Sequence, residues 1–171
     1  MTRLLLLRHS RAGWPEPGMR DFDRPLDATG AAEAVHVGMM MRENACRPDL
    51  VICSGARRAR QTLEGVRAHT ETGHAIYTDI LYSTDAIGYL DVVRQAPAAN
   101  TLLLIGHNPM MEDLLLALAA QGDPQALDAS AAGFPPSGLA VIRFDGALAE
   151  AEPGKGYLEA FLTPAAQERA A

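Results

Sequence analysis

Cysteine is scarce in this 171-residue chain, basic charge is in the minority, and no long apolar run is present. Each shortage excludes something. Two cysteines, Cys46 and Cys53, are too few for a disulfide framework. No His or Cys pair stands near them at zinc-ligand intervals. Cys53 lies inside the apolar run Leu50-Val51-Ile52-Cys53 and reads as a buried small hydrophobe in a reduced protein. Fifteen Lys and Arg against 21 Asp and Glu leave a net charge of −6. A basic footprint is therefore lacking, which argues against a nucleic-acid or anionic-membrane partner. No stretch approaches the ~18 apolar residues of a membrane span. The four leucines Leu4 to Leu7 are too few for a signal sequence and are interrupted by Arg8 and His9. A cytoplasmic setting is the expectation.

What is present is an ordinary globular composition, 48% hydrophobic, in a length that suits one domain over residues 1–171. Four apolar runs read as buried strands: Arg3 to Leu7, Leu50 to Cys53, Thr101 to Ile105 and Leu139 to Phe144. They lack clean alternation, as in a sheet covered on both faces. A shorter piece, Ile76 to Thr78, reads as an edge strand. Between them the pattern predicts four helices. The first is capped by Thr29, carries Val35, Met39 and Met40, and is closed by Pro48-Asp49. The others run from Ala56 to about His69, from Asp85 to Gln95 with Ile87, Leu90 and Val93 at helical spacing, and from Met110 to Ala120. Strand and helix alternate, so a three-layer α/β/α sandwich with a mainly parallel sheet follows. Gly13 to Pro25 and Ala126 to Pro136 read as loops flanking a pocket, and the Ala-rich tail after Pro164 as a fraying end.

Three of the strand-like runs end in chemistry-bearing residues. Arg8 and His9 follow the first, delivering a guanidinium and an imidazole where open α/β sheets bind ligands. A fixed cation beside a ring nitrogen suits one task, holding a phosphoryl group while the ring attacks it. The small Ser10 leaves room for that approach. After the second run comes Ser54-Gly-Ala-Arg57-Arg58-Ala-Arg60-Gln61-Thr62. A helix start favours anions, and arginine's planar fork grips phosphate in bidentate fashion. Arg57 and Arg58 point roughly 100° apart on a helix, so one of the two faces the pocket. After the third run, Gly106-His107-Asn108-Pro109 places a second histidine at a strand-to-helix junction. Asn108 reads there as the cap and Pro109 as the first helical residue.

Together these fragments resemble the histidine phosphatase superfamily, of phosphoglycerate mutase-like fold, and within it the small SixA-type phosphohistidine phosphatases. The likeness rests on Leu-Leu-Arg8-His9-Ser-Arg-Ala12, on Arg24-Pro25-Leu26 with Gly30, on Ser54 through Arg58-Ala-Arg-Gln-Thr62, and on Ile-Gly106-His107-Asn-Pro109. It spans roughly residues 3–120 in register.

The resemblance implies a hydrolase in which His9 is the nucleophile that becomes phosphorylated. Arg8, Arg58 and His107 would hold the phosphoryl oxygens, with Ser10 and Asn108 beside them as substrate-binding residues. It implies Arg58, directly before Ala59, as the second arginine rather than Arg57, and no metal or other cofactor. Ser10 stands where glycine is commoner. The implied partner is a protein carrying phosphohistidine; the alternatives are a small phosphate ester, or a binding module without turnover. An ester would need a carboxylic acid to protonate its leaving alkoxide. Asp85 is the weak candidate, equally readable as a first-turn carboxylate complementing a helix dipole. Glu112 and Asp113 read more readily as exposed helix residues. A phosphoramidate needs little acid, so the lack of a clear acid favours P–N over P–O cleavage.

Overall fold

The computed structural model describes residues 1–164, so the tail after Pro164 lies outside the described residues. In chain order the elements are β1 (Thr2–Arg8), a 3-10 turn at Asp21–Asp23, α1 (Ala28–Glu43), β2 (Leu50–Ser54), α2 (Arg57–Val66), β3 (His74–Thr78), α3 (Ile80–Ser83), α4 (Ala86–Gln95), β4 (Thr101–Gly106), α5 (Met110–Leu118), β5 (Ala119–Gly122), α6 (Pro124–Ala131), β6 (Leu139–Phe144), a second 3-10 turn at Leu148–Glu150, and β7 (Gly156–Leu162).

The strands form one seven-stranded sheet in the order β3-β2-β4-β1-β6-β7-β5. Four pairings are parallel and two, those flanking β6, are antiparallel. The α/β/α sandwich with a mainly parallel sheet is what the strand–helix alternation called for. β3 lies at the sheet edge, as its short apolar piece suggested.

The near-continuous apolar strands are explained by cover on both faces. Leu4, Leu6, Leu50, Ile52, Leu102 and Leu104 enter one core with residues of α4, α5 and α6. Their neighbours Leu5, Leu7, Val51, Cys53, Leu103 and Ile105 enter the other, against Val37, Met40 and Met41 of α1 and Ala59, Leu63 and Val66 of α2. The pleat sends alternate side chains to opposite faces, so a two-sided core needs apolar residues at every position. Met40 and Met41 are core, while Met39 is partly exposed. Burial pushes the Cys53 thiol up to about 12, as befits an inert small hydrophobe.

Several local readings are corrected. The cap of α1 is Asp27, whose Oδ1 accepts from the Gly30 amide at 2.7 Å, and Thr29 falls inside the first turn. Both residues can cap, and the extended backbone of Asp27 decides it. α2 stops at Val66 and α5 at Leu118, each short of the expected end; the chain then turns into β5, paired with β7. α5 also begins one residue late: Pro109 is its cap, and the Asn108 side chain accepts from the Glu112 amide. Ile87 is exposed, the buried face of α4 being Tyr89, Leu90 and Val93. α6 occupies part of the expected loop from Ala126 to Pro136. Its start was visible in Asp123-Pro124, because Asp123 accepts from the Gln125 and Ala126 amides with Pro124 in the first turn. β7, with its mixed burial, was not anticipated.

Candidate active site

The parallel register fixes where the three motifs meet. Arg8 pairs with Gly106 and Cys53 with Ile105, so β1, β2 and β4 end at one level and release His9, Gly55 and His107 side by side. β6 runs the other way, with Leu139 opposite Leu7. The loop that feeds it, carrying Phe134 and Ser137, therefore arrives at the same end of the sheet.

His9 is half-buried and held at two points of its backbone and ring. Its amide donates to Gly106 O at 3.0 Å and its Nδ1 contacts Ser10 O at 2.7 Å. A carbonyl only accepts, so Nδ1 carries the proton. Arg58 Nε donates to the other nitrogen, Nε2, at 3.3 Å. The lone pair of Nε2 is thus directed into the pocket. Burial, with His107, Arg58 and Arg8 nearby, pulls the imidazole down to about 3, against the opposing bond to Ser10, and keeps the ring neutral.

Arg58 is the arginine that enters the pocket. It is 7% exposed, whereas Arg57 is exposed. Its Nη1 donates to Asp21 O at 2.8 Å, its Nη2 to Asp21 Oδ2 at 3.1 Å, and the same Nη2 lies 3.5 Å from His107 Nδ1. The neighbouring Arg60 turns away, donating to Gly55 O and stacking over Tyr77. Arg8 donates through Nη1 to Phe134 O at 2.8 Å, and its buried Nε has no hydrogen-bond partner. Burial lowers its pKa, with the charge of Glu112 opposing. A buried donor without an acceptor is costly unless a ligand supplies one.

His107 is 5% exposed. Its ring lies 5.1 Å from that of His9, and its amide donates to the hydroxyl of the buried Tyr89. Its Nε2 pairs with Ser54 Oγ at 2.8 Å. The Ser54 hydroxyl also accepts from the Ala56 amide, so its own proton is available to Nε2. Nδ1 of the same ring faces Arg58 Nη2 at 3.5 Å, and its role as donor or acceptor follows the tautomer. Burial, with the Arg58 charge, lowers this imidazole to about 4.

The remaining candidates stand around this centre. Ser10 is fully buried, its amide donating to Thr62 Oγ1 and its hydroxyl accepting from Ser137. It therefore braces the His9 ring. Asn108 donates to Phe134 O, the same carbonyl that holds Arg8. Asp85 is exposed and caps α4 by accepting from the Gly88 amide.

Sequence reasoning missed Asp21 and Tyr82. Asp21 accepts from Arg24, Tyr82 and Arg58, and the Tyr82 ring packs edge-on to His107 at 5.6 Å. The signal for Asp21 was its place in the loop expected beside the pocket; Tyr82 gave none beyond its closeness to Asp85.

The model of the histidine phosphatase superfamily (branch 1) matches residues 4–81. An uncharacterized protein of Mycobacterium tuberculosis is 37% identical over 162 residues, covering 92% of this chain and 99% of the relative. Among solved structures, a candidate phosphohistidine phosphatase SixA from Agrobacterium tumefaciens superimposes with a TM-score of 0.82 at 36% identity, over 95% of this chain and 99% of that one. The protein histidine phosphatase SixA complexed with tungstate gives 0.75 at 20% identity, over 97% and 99%, a likeness of fold.

Proposed function

Because the chain belongs to the histidine phosphatase superfamily, we propose that it is a phosphatase that takes phosphoryl groups onto His9, and that its substrate is phosphohistidine on a protein. The observation that carries this reading is the unprotonated His9 Nε2 facing Arg58, with an unpartnered buried Nε on the preceding residue, Arg8. A neutral nucleophile and buried cationic donors converge on one small space, which suits a phosphoryl group.

The reaction has two steps. The Nε2 lone pair attacks phosphorus in line and the P–N bond to the substrate ring breaks, releasing its imidazole, while Arg8, Arg58 and His107 hold the three equatorial oxygens. Water then attacks phosphohistidine on His9, releasing inorganic phosphate. Catalysis is chiefly positioning and charge stabilisation. We further propose one catalytic domain over residues 1–171, charge supplied by arginines rather than a metal, and a cytoplasmic setting. The likeness to the Agrobacterium protein supports phosphohistidine as the substrate class.

The test is phosphate release from a phosphohistidine peptide beside a panel of phosphate monoesters. Preference for the peptide, abolished in His9→Ala, is the expected result. Turnover that persists in His9→Ala would remove the mechanism, and preference for an ester would remove the substrate.

A further inference from the structure

We propose that Asp21 is the counter-ion of the cationic, ring-protonated form of phosphohistidine: its carboxylate receives the substrate ring's N–H while the phosphoryl group passes to His9. The inference rests on the phosphohistidine reading above and assigns to Asp21 the selection of P–N over P–O substrates.

The geometry starts from Arg58. Its Nε lies 3.3 Å from the nucleophilic nitrogen and its Nη2 lies 3.1 Å from Asp21 Oδ2. The carboxylate thus sits across the guanidinium from His9, and in-line displacement sends the leaving group away from the nucleophile. The Asp21 carbonyl is tied to Arg58 Nη1 at 2.8 Å, which fixes the short turn against the pocket. Arg24 Nη1 donates to Oδ1 at 2.9 Å and the Tyr82 hydroxyl to Oδ2 at 2.8 Å. A carboxylate offers about four acceptor positions. Three are occupied and the side chain is 50% exposed, so an acceptor position remains open to an incoming group.

Partial burial would raise the carboxyl, but Arg24, Tyr82 and Arg58 outweigh it and hold the group well below the usual carboxylate range. Asp21 therefore has no proton to donate near neutral pH, which disqualifies it as the acid for an alkoxide. A permanent negative charge at that point also opposes a leaving group that becomes anionic. For a P–N bond the sign reverses. The His9 Nε2 pair forms the new N–P bond, and the old P–N pair returns to the substrate ring nitrogen. The proton on that ring's other nitrogen stays, so the ring leaves neutral. The reactive substrate is the ring-protonated cation, and a facing carboxylate favours it.

The experiment measures kcat/KM of wild type and Asp21→Asn on a phosphohistidine peptide and on p-nitrophenyl phosphate, from mildly acid to alkaline pH. The peptide-to-ester ratio is expected to fall about tenfold, the weight of one hydrogen bond to a charged group. The alkaline limb of kcat for the peptide, which reports the substrate bound to the enzyme, should move to lower pH. An unchanged ratio with an unmoved limb would overturn the inference and leave Asp21 as a residue that merely orients Arg58. A wild type that prefers the ester would instead defeat the reading on which it rests. Asp21→Glu, which keeps the charge, should restore part of the ratio.

Discussion

Along β3-β2-β4-β1 the strands all run one way, and their shared carboxyl end presents side chains: Arg8, His9, Ser54 and His107, with Arg58 in the first turn of α2. From β1 into β6-β7-β5 the direction reverses at β6, and what reaches the pocket from that side is mainly backbone. Phe134 O holds Arg8 and Asn108, and the Ser137 amide donates to Arg8 O and His9 O. The parallel half brings the reacting groups; the mixed half holds them at the right height. A reacting group is hard to replace, whereas a brace that shares its task with neighbours loses less when one bond is removed.

The sharpest break of this contrast lies in the parallel half. Arg58→Ala removes the donor beside His9 Nε2 and both contacts to Asp21, and is expected to cost about 10²–10³-fold in kcat. Arg57→Ala, on the exposed face of the same helix, should leave kcat near wild type; the reverse order of losses would overturn the assignment of Arg58 to the pocket.

The pH profile gives a smaller effect from the same half. With His9 at about 3 and His107 at about 4, the free enzyme keeps both rings neutral well below the ordinary imidazole range. The acid limb of kcat/KM, corrected for substrate ionisation, should therefore lie near 4 instead of near the usual ~6.5. Stability carries the matching sign. Unfolding raises both pKa values, so the unfolded chain binds more protons between about 4 and ~6.5. Stability should hold above that window and decline as pH falls through it. A denaturation midpoint that stayed flat across the window would contradict the buried neutral pair.

The smallest effect belongs to the mixed half. Ser137→Ala removes the hydroxyl bond to Ser10 while keeping the backbone bonds to Arg8 and His9. A loss of about 1 kcal/mol in stability is expected, with activity little changed. Ser137 has φ 65°, so Ser137→Gly removes the same bond but relieves the left-handed backbone and should lose less. Equal losses, read by denaturant titration, would dissociate the strain from the bond.

This contrast also explains what could be read in advance. The four central strands were legible because a sheet covered on both faces demands unbroken apolar runs, and Leu4 to Leu7 or Leu102 to Ile105 have no other use. β7, read as Gly-Tyr-Leu-Glu-Ala-Phe-Leu, is only partly buried and mixes polar with apolar residues. β5 is four residues long and continues directly from a helix, so local pattern favoured extending the helix. Arg8, His9, Arg58 and His107 lie within a few residues of strand ends and were visible for that reason. Asp21 and Tyr82 were not, since they meet across 61 positions in the chain.

The sequence by itself determined the alternation of strand and helix, the two-sided burial of the sheet, and the placement of Arg-His, Arg and His at three strand ends. Hydrophobic patterning and helix-start chemistry are local, so they survive being read one segment at a time. Only the tertiary structure decided which of Arg57 and Arg58 turns inward, which His9 nitrogen carries the proton, and that Asp21 rather than Asp85 is the carboxylate at the pocket. Those outcomes depend on distances between segments far apart in the chain, which the register of the strands and the reversal at β6 set.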